Sequence, residues 1–87
     1  MRLDKYLKTS RLIKRRTVAN EACDAQRVTV NGRPAKASYD VKVGDVLEIR
    51  FGAKTLRVEV LNVAENVRKE DAVGMYRELA QNDETIS

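Results

Sequence analysis

The sequence has no histidine and only one cysteine, Cys23, in 87 residues. The commonest general base and the commonest metal ligand are therefore absent. One cysteine without histidine makes neither a Cys/His catalytic pair nor a zinc set, and it cannot close an internal disulfide. The four glycines, Gly32, Gly44, Gly52 and Gly74, are too far apart for a phosphate-cradling loop. No apolar run approaches the roughly 20 residues that cross a bilayer, so no membrane partner is expected. The basic N-terminus is not followed by an apolar stretch of signal-peptide type. Carboxylates are plentiful but scattered, and nothing nominates a catalytic pair. A chain of this length makes one compact domain with a small core, burying roughly 60–65% of its unfolded surface, which scarcely provides an enzyme pocket. The expectation is a cytoplasmic binding protein without enzymatic activity, cofactor or metal.

Charge is abundant and unevenly placed. The chain holds 17 Lys/Arg and 13 Asp/Glu, a net of +4. Residues 1–16 hold seven bases (Arg2, Lys5, Lys8, Arg11, Lys14, Arg15 and Arg16) and one acid, Asp4, a net of +6. The remaining 71 residues hold ten bases and 12 acids, a net of −2. Excess positive charge confined to one segment points to a polyanionic partner. Residues 70–87 have the opposite balance, one base (Arg77) against five acids. That end would be repelled by nucleic acid and face solvent or protein.

Hydrophobic spacing outlines the elements. Leu3, Tyr6 and Leu7 form one helical stripe in residues 2–9, with Arg2, Lys5 and Lys8 opposite. Leu12 and Ile13 tie the following loop to the core. A second helix is expected from Thr17, acting as N-cap, to about Ala25. Its stripe would be Val18, Ala22 and Ala25, widened by Ala19 and Cys23, the cysteine serving as a small buried hydrophobe. "RVTVNG" alternates and ends in Asn31-Gly32, a strong two-residue hairpin signal. Pro34 restricts its neighbourhood to an edge strand. "VKVGD" reads as a turn. "VLEIRF" directs Leu47, Ile49 and Phe51 one way, Gly52 opens a turn, and "TLRVEV" directs Leu56, Val58 and Val60 inward. A short helix is expected over residues 70–80, with Ala72, Tyr76, Leu79 and Ala80 on one side, followed by a frayed polar tail over 81–87. Two helices, about four short strands and a helix make an α+β domain over residues 1–80.

Lys14, Arg15 and Arg16 stand just before the second helix, whose first-turn N–H groups and partial positive charge suit phosphate. With the cationic side of the first helix they would form one basic surface. Arginine grips phosphate bidentately and stacks on unpaired bases, which favours RNA over a membrane surface. A charge run taken alone reads equally well as solvated surface.

The order of the whole pattern goes further. "RLDKYL", "SR", "KRRTVANEACDAQRVTVNG" and "VKVGDVLEI" together resemble the S-four RNA-binding domain family over about residues 1–60. The resemblance implies two packed N-terminal helices on a small, bent, mostly antiparallel sheet, and binding of structured RNA through the helical pair. One departure is Gln26, where the family usually has glycine, which puts the end of the second helix in question. In length and motif the chain is similar to stand-alone members of the family, the small ribosome-associated heat-shock class and, most of all, members acting in bacterial ribosome-associated quality control. That likeness implies contact with ribosomal RNA and P-site peptidyl-tRNA on an obstructed large subunit. It also implies a partner factor that adds C-terminal alanines to the stalled chain while the tRNA is held.

Arg2 and Arg16 are the first candidates for RNA contact, followed by Lys5, Lys8, Arg11, Lys14 and Arg15, with Arg33 and Lys36 extending the patch around the hairpin. Asp4 would orient Arg2 or Arg16, or else complement the first helix's N-terminal charge. Tyr6 reads as core, and Tyr39 as core or a stacking residue. The free protein is expected to be a monomer. Two other readings stand beside this one: a general ribosome-assembly or stress-related RNA-binding protein, and a protein-interaction module using a sheet edge or the acidic C-terminal segment.

Overall fold

The computed structural model describes residues 1–64 and 67–79. Two helices, α1 (Leu3–Thr9) and α2 (Arg16–Asp24), precede four strands, β1 (Val28–Val30), β2 (Arg33–Pro34), β3 (Val46–Phe51) and β4 (Lys54–Val60). A 3₁₀ segment, Lys69–Met75, leads into a last strand, β5 (Tyr76–Glu78). The sheet order is β2-β1-β3-β4-β5, and every pairing is antiparallel. This is the expected α+β architecture with helices on a small antiparallel sheet.

Local chemistry accounts for most of the elements. Leu3, Tyr6 and Leu7 are fully buried, as their spacing requires. The first amides of α1 are taken by loop carbonyls, Leu3 N–H donating to Tyr39 O at 2.8 Å and Asp4 N–H to Ala37 O at 3.2 Å. Ile13 is buried and its amide donates to Leu7 O at 3.0 Å, which fixes the basic loop on α1. Asn31 and Gly32 have φ of 53° and 85°, the conformation a two-residue hairpin demands. Pro34 lies in the edge strand, where its missing N–H costs no ladder bond.

Helix α2 ends in a Schellman arrangement. Gln26 takes φ 60°, its amide donates to Cys23 O at 3.0 Å, and the Arg27 amide donates to Ala22 O at 2.9 Å. The glycine geometry is thus kept without glycine.

Four expectations need correction. Helix α2 begins at Arg16, one residue before Thr17, with Arg15 at the cap position and no side-chain cap bond. Its buried residues are Ala19 and Cys23, while Val18 is 46% exposed and Ala25 also faces solvent, so the inward face is turned from the expected stripe. Small residues sit inward because α2 packs directly on α1. Phe51 shares the side of Leu47 and Ile49, but it lies at the turn end of the β3–β4 hairpin, beyond the core, and is 44% exposed. No α-helix forms over the described part of 70–80; a 3₁₀ segment and β5 stand there instead. Gly74 disfavours a helix interior, and β4 has a free edge, so Tyr76, Arg77 and Glu78 pair with Val60, Glu59 and Val58. Ala80 and the tail 81–87 lie outside the described residues.

Candidate nucleic-acid interface

The N-terminal ends of α1 and α2 meet at one carboxylate. Asp4, in the first turn of α1, is only 2% exposed. Its Oδ1 accepts from Arg2 Nε at 3.1 Å and from the Lys5 amide at 2.8 Å. Its Oδ2 accepts from Arg2 Nη2 at 3.4 Å and Asn20 Nδ2 at 3.3 Å, and stands 3.5 Å from Arg16 Nε. Burial pushes the Asp4 carboxyl up. Hydrogen bonds from Arg2, Asn20, the Lys5 amide and Arg16 outweigh that effect and hold it below its ordinary value. A buried carboxylate with so many donors stays ionised and holds two arginines from separate helices side by side.

Both arginine side chains remain about half exposed, 51% for Arg2 and 49% for Arg16. Arg16 meets Asp4 through Nε, so its two terminal nitrogens stay available, and a guanidinium has five N–H donors in all. Lys14 and Arg15 are exposed beside them. Helix α2 has no side-chain cap, and its first-turn N–H groups lack intrahelical partners. The result is a concentrated donor surface at the junction of two helix starts.

An open cleft of ≈ 530 Å³ borders this junction, between α2 and the segment after β2. Arg2, Asn20, Asp24, Pro34, Ala35 and Lys36 line it. The structure thus puts Lys36 in the same cleft as Arg2. Lys8 and Arg11 are exposed at the far end of α1, with Arg11 at φ 66° just past its cap. Lys5 is half-buried in the middle of α1. Arg33 is exposed on the edge strand β2. Asn20 was missed by sequence reasoning, since an asparagine inside a helix carries no signal until its partner sixteen residues away is known. Tyr6 and Cys23 are core residues. The Tyr6 hydroxyl donates to Met75 O at 2.7 Å, and burial pushes the Cys23 thiol up to about 11. Among the described residues no helix is long and apolar enough to cross a membrane, and no group of three or more His, Cys, Asp or Glu could hold a metal.

The S4 domain model matches residues 1–47. A protein of Halalkalibacterium halodurans named RQC P-site tRNA stabilizing factor is 58% identical over 87 residues, 100% of this chain and 97% of that protein. A protein of Streptococcus pneumoniae with the same name is 58% identical over 81 residues, 93% of this chain and 92% of that protein. Among solved structures, the trimeric heat shock protein 15 of Vibrio cholerae has a TM-score of 0.85 at 31% identity, over 92% of this chain and 82% of that one.

Proposed function

The chain belongs to the S4 domain family and, within it, to the RQC P-site tRNA stabilizing factors, and from that premise we propose that it binds RNA through the paired starts of α1 and α2. Its site is the obstructed large ribosomal subunit in the cytoplasm. There it contacts ribosomal RNA and P-site peptidyl-tRNA. It keeps that tRNA seated while a partner factor adds alanines to the C-terminus of the stalled chain. The role is one of binding, without catalysis, and the free protein acts as a monomer.

The observation that carries this reading is the Asp4 carboxylate shared by Arg2 and Arg16. A freely rotating arginine loses roughly 2 kcal/mol of rotamer entropy when it is fixed. Two arginines already held by a buried carboxylate have lost much of that before RNA arrives, which is preorganisation. Lys14, Arg15 and the first-turn amides of α2 supply further phosphate donors around them. Lys5, Lys8, Arg11, Arg33 and Lys36 broaden the basic surface and strengthen attraction at a distance.

Sucrose-gradient sedimentation of tagged protein from lysate, at low and raised salt, tests the proposal. The wild type is expected with large subunits that carry peptidyl-tRNA, and the Arg2→Ala/Arg16→Ala double variant at the top of the gradient. Sedimentation with assembling precursors would favour the ribosome-assembly reading instead. Wild type and variant both remaining at the top, even at low salt, would overturn ribosome binding.

A further inference from the structure

Asp24 is the last residue of α2, where backbone carbonyls concentrate partial negative charge and acids are disfavoured. No basic residue stands in that last turn. Asp24 is exposed and has no hydrogen bond or ion pair among the described residues. Neither helix stability nor a neighbouring cation accounts for it. It also lies on the otherwise basic side of the domain, in the cleft shared with Arg2 and Lys36.

The lining of that cleft is mixed in a specific way. A carboxylate repels phosphate, so the cleft as a whole does not suit a phosphate group. Asp24 accepts hydrogen bonds, Pro34 and Ala35 offer an apolar ledge, and Arg2 and Lys36 supply positive charge. This combination fits a flat group that donates hydrogen bonds and has anionic neighbours, which describes a nucleobase in a nucleic-acid strand. The volume of ≈ 530 Å³ admits one nucleotide. Of the four bases, guanine alone presents two adjacent donors, N1–H and N2–H, in the parallel geometry that a carboxylate accepts with both oxygens. Adenine and cytosine each offer one amino group on that edge, and uracil one imino group.

We propose that the cleft between α2 and the segment after β2 receives one unpaired nucleotide of the bound RNA, guanine in preference to the other three. Asp24 accepts from N1–H and N2–H. Pro34 and Ala35 lie against the base, and Arg2 and Lys36 take the flanking phosphates. The proposal rests on the RNA-binding reading above and names the RNA feature that reading requires: a base turned out of its helix beside the basic junction.

The test uses fluorescently labelled RNA hairpins with a common stem, either fully paired or with one bulged G, A, C, U or inosine. Affinities are read by anisotropy at one fixed salt concentration for the whole protein and for Asp24→Asn, a change at an exposed position that leaves the core untouched. The wild type is expected to bind the bulged-G hairpin about tenfold more tightly than the paired one, and about fivefold more tightly than bulged A or inosine, which lacks the N2 amino group. In Asp24→Asn the ratio of G to A, and of G to inosine, is expected to fall close to one, even though losing a negative charge raises affinity for every hairpin. Equal affinities for bulged and paired hairpins in the wild type would overturn the proposal, leave the RNA-binding surface standing, and assign the cleft to a donor group of a protein partner. A guanine preference that survives in Asp24→Asn would also overturn it. Failure to bind any hairpin at low salt would bring down the RNA-binding reading, and this inference with it.

Discussion

The side-chain amide of Asn31 donates to Asp45 Oδ1 at 3.1 Å, while its own carbonyl accepts the Val46 amide at 3.0 Å. Asp45 Oδ2 in turn accepts from the Tyr39 hydroxyl at 2.8 Å and the Lys42 amide at 3.0 Å. The hairpin turn at Asn31-Gly32 and the turn at Lys42–Asp45 are thus one stapled unit. Tyr39, which read as core or as a stacking residue, is half-buried with its hydroxyl committed to that staple.

Asn31→Gly keeps a residue that accepts positive φ but removes both side-chain bonds. It is expected to cost about 1 kcal/mol, seen as a lower urea midpoint with an unchanged slope. Asn31→Ala is expected to cost more, because it adds left-handed strain. A neutral Asn31→Gly would show that the staple contributes nothing net.

Acid should weaken the fold through two carboxylates. For Asp45, as for Asp4, burial raises the pKa first, and the hydrogen bonds outweigh it, so both lie below the ordinary value. A group depressed in the folded state contributes stability above its unfolded pKa, near 4, and loses it as the pH falls through the folded value. Stability should therefore be level from neutral pH down to about 4 and then decline. Thermal melts of Asp45→Asn across this range are expected to start lower at pH 7 and fall less steeply below pH 4 than those of the wild type.

Gln26 occupies a left-handed position that glycine adopts without strain. Gln26→Gly is expected to raise stability by about 0.5–1 kcal/mol, the relieved strain being partly offset by the greater freedom of glycine in the unfolded chain. Urea unfolding checks it, and a lower midpoint would mean that the Gln26 side chain contributes packing that outweighs its backbone strain.

Counting charge and weighing geometry predict opposite outcomes for Asp4→Ala. Removing the sole acid of residues 1–16 should strengthen RNA binding if charge were all that mattered. Losing the carboxylate that holds Arg2 and Arg16 should weaken it, by about three- to tenfold. We expect weakening, measured by anisotropy on a fixed hairpin with circular dichroism confirming the fold. Tighter binding would mean that the clamp is irrelevant to recognition.

Salt titration reports how many phosphates are engaged. About six contacts correspond to a slope of log affinity against log salt near −4 to −5. Arg16→Ala should reduce that slope by about 1. A slope near zero would remove the electrostatic account of the basic surface.

What could be read from the chain and what could not divides along the range of the interactions. The first helix, the Asn31-Gly32 hairpin, the edge position of Pro34 and the inward Leu47 and Ile49 follow from φ preferences and periodicity within a few residues, and so could be read directly from the chain. The basic character of residues 1–16, which include Arg2 and Arg16, is likewise a matter of counting. Residues 70–80 misled because Ala72, Tyr76 and Leu79 satisfy a helical spacing, whereas the free edge of β4 decided that Tyr76–Glu78 became a strand. The inward face of α2 was likewise chosen by its packing on α1, which favours Ala19 and Cys23 over the bulkier Val18. The Asp4 clamp joins residues 2, 4, 16 and 20, and the cleft joins α2 to residues 34–38. Such groups meet only when two helices and a hairpin close on a common core, because the burial that positions them is a property of the whole fold.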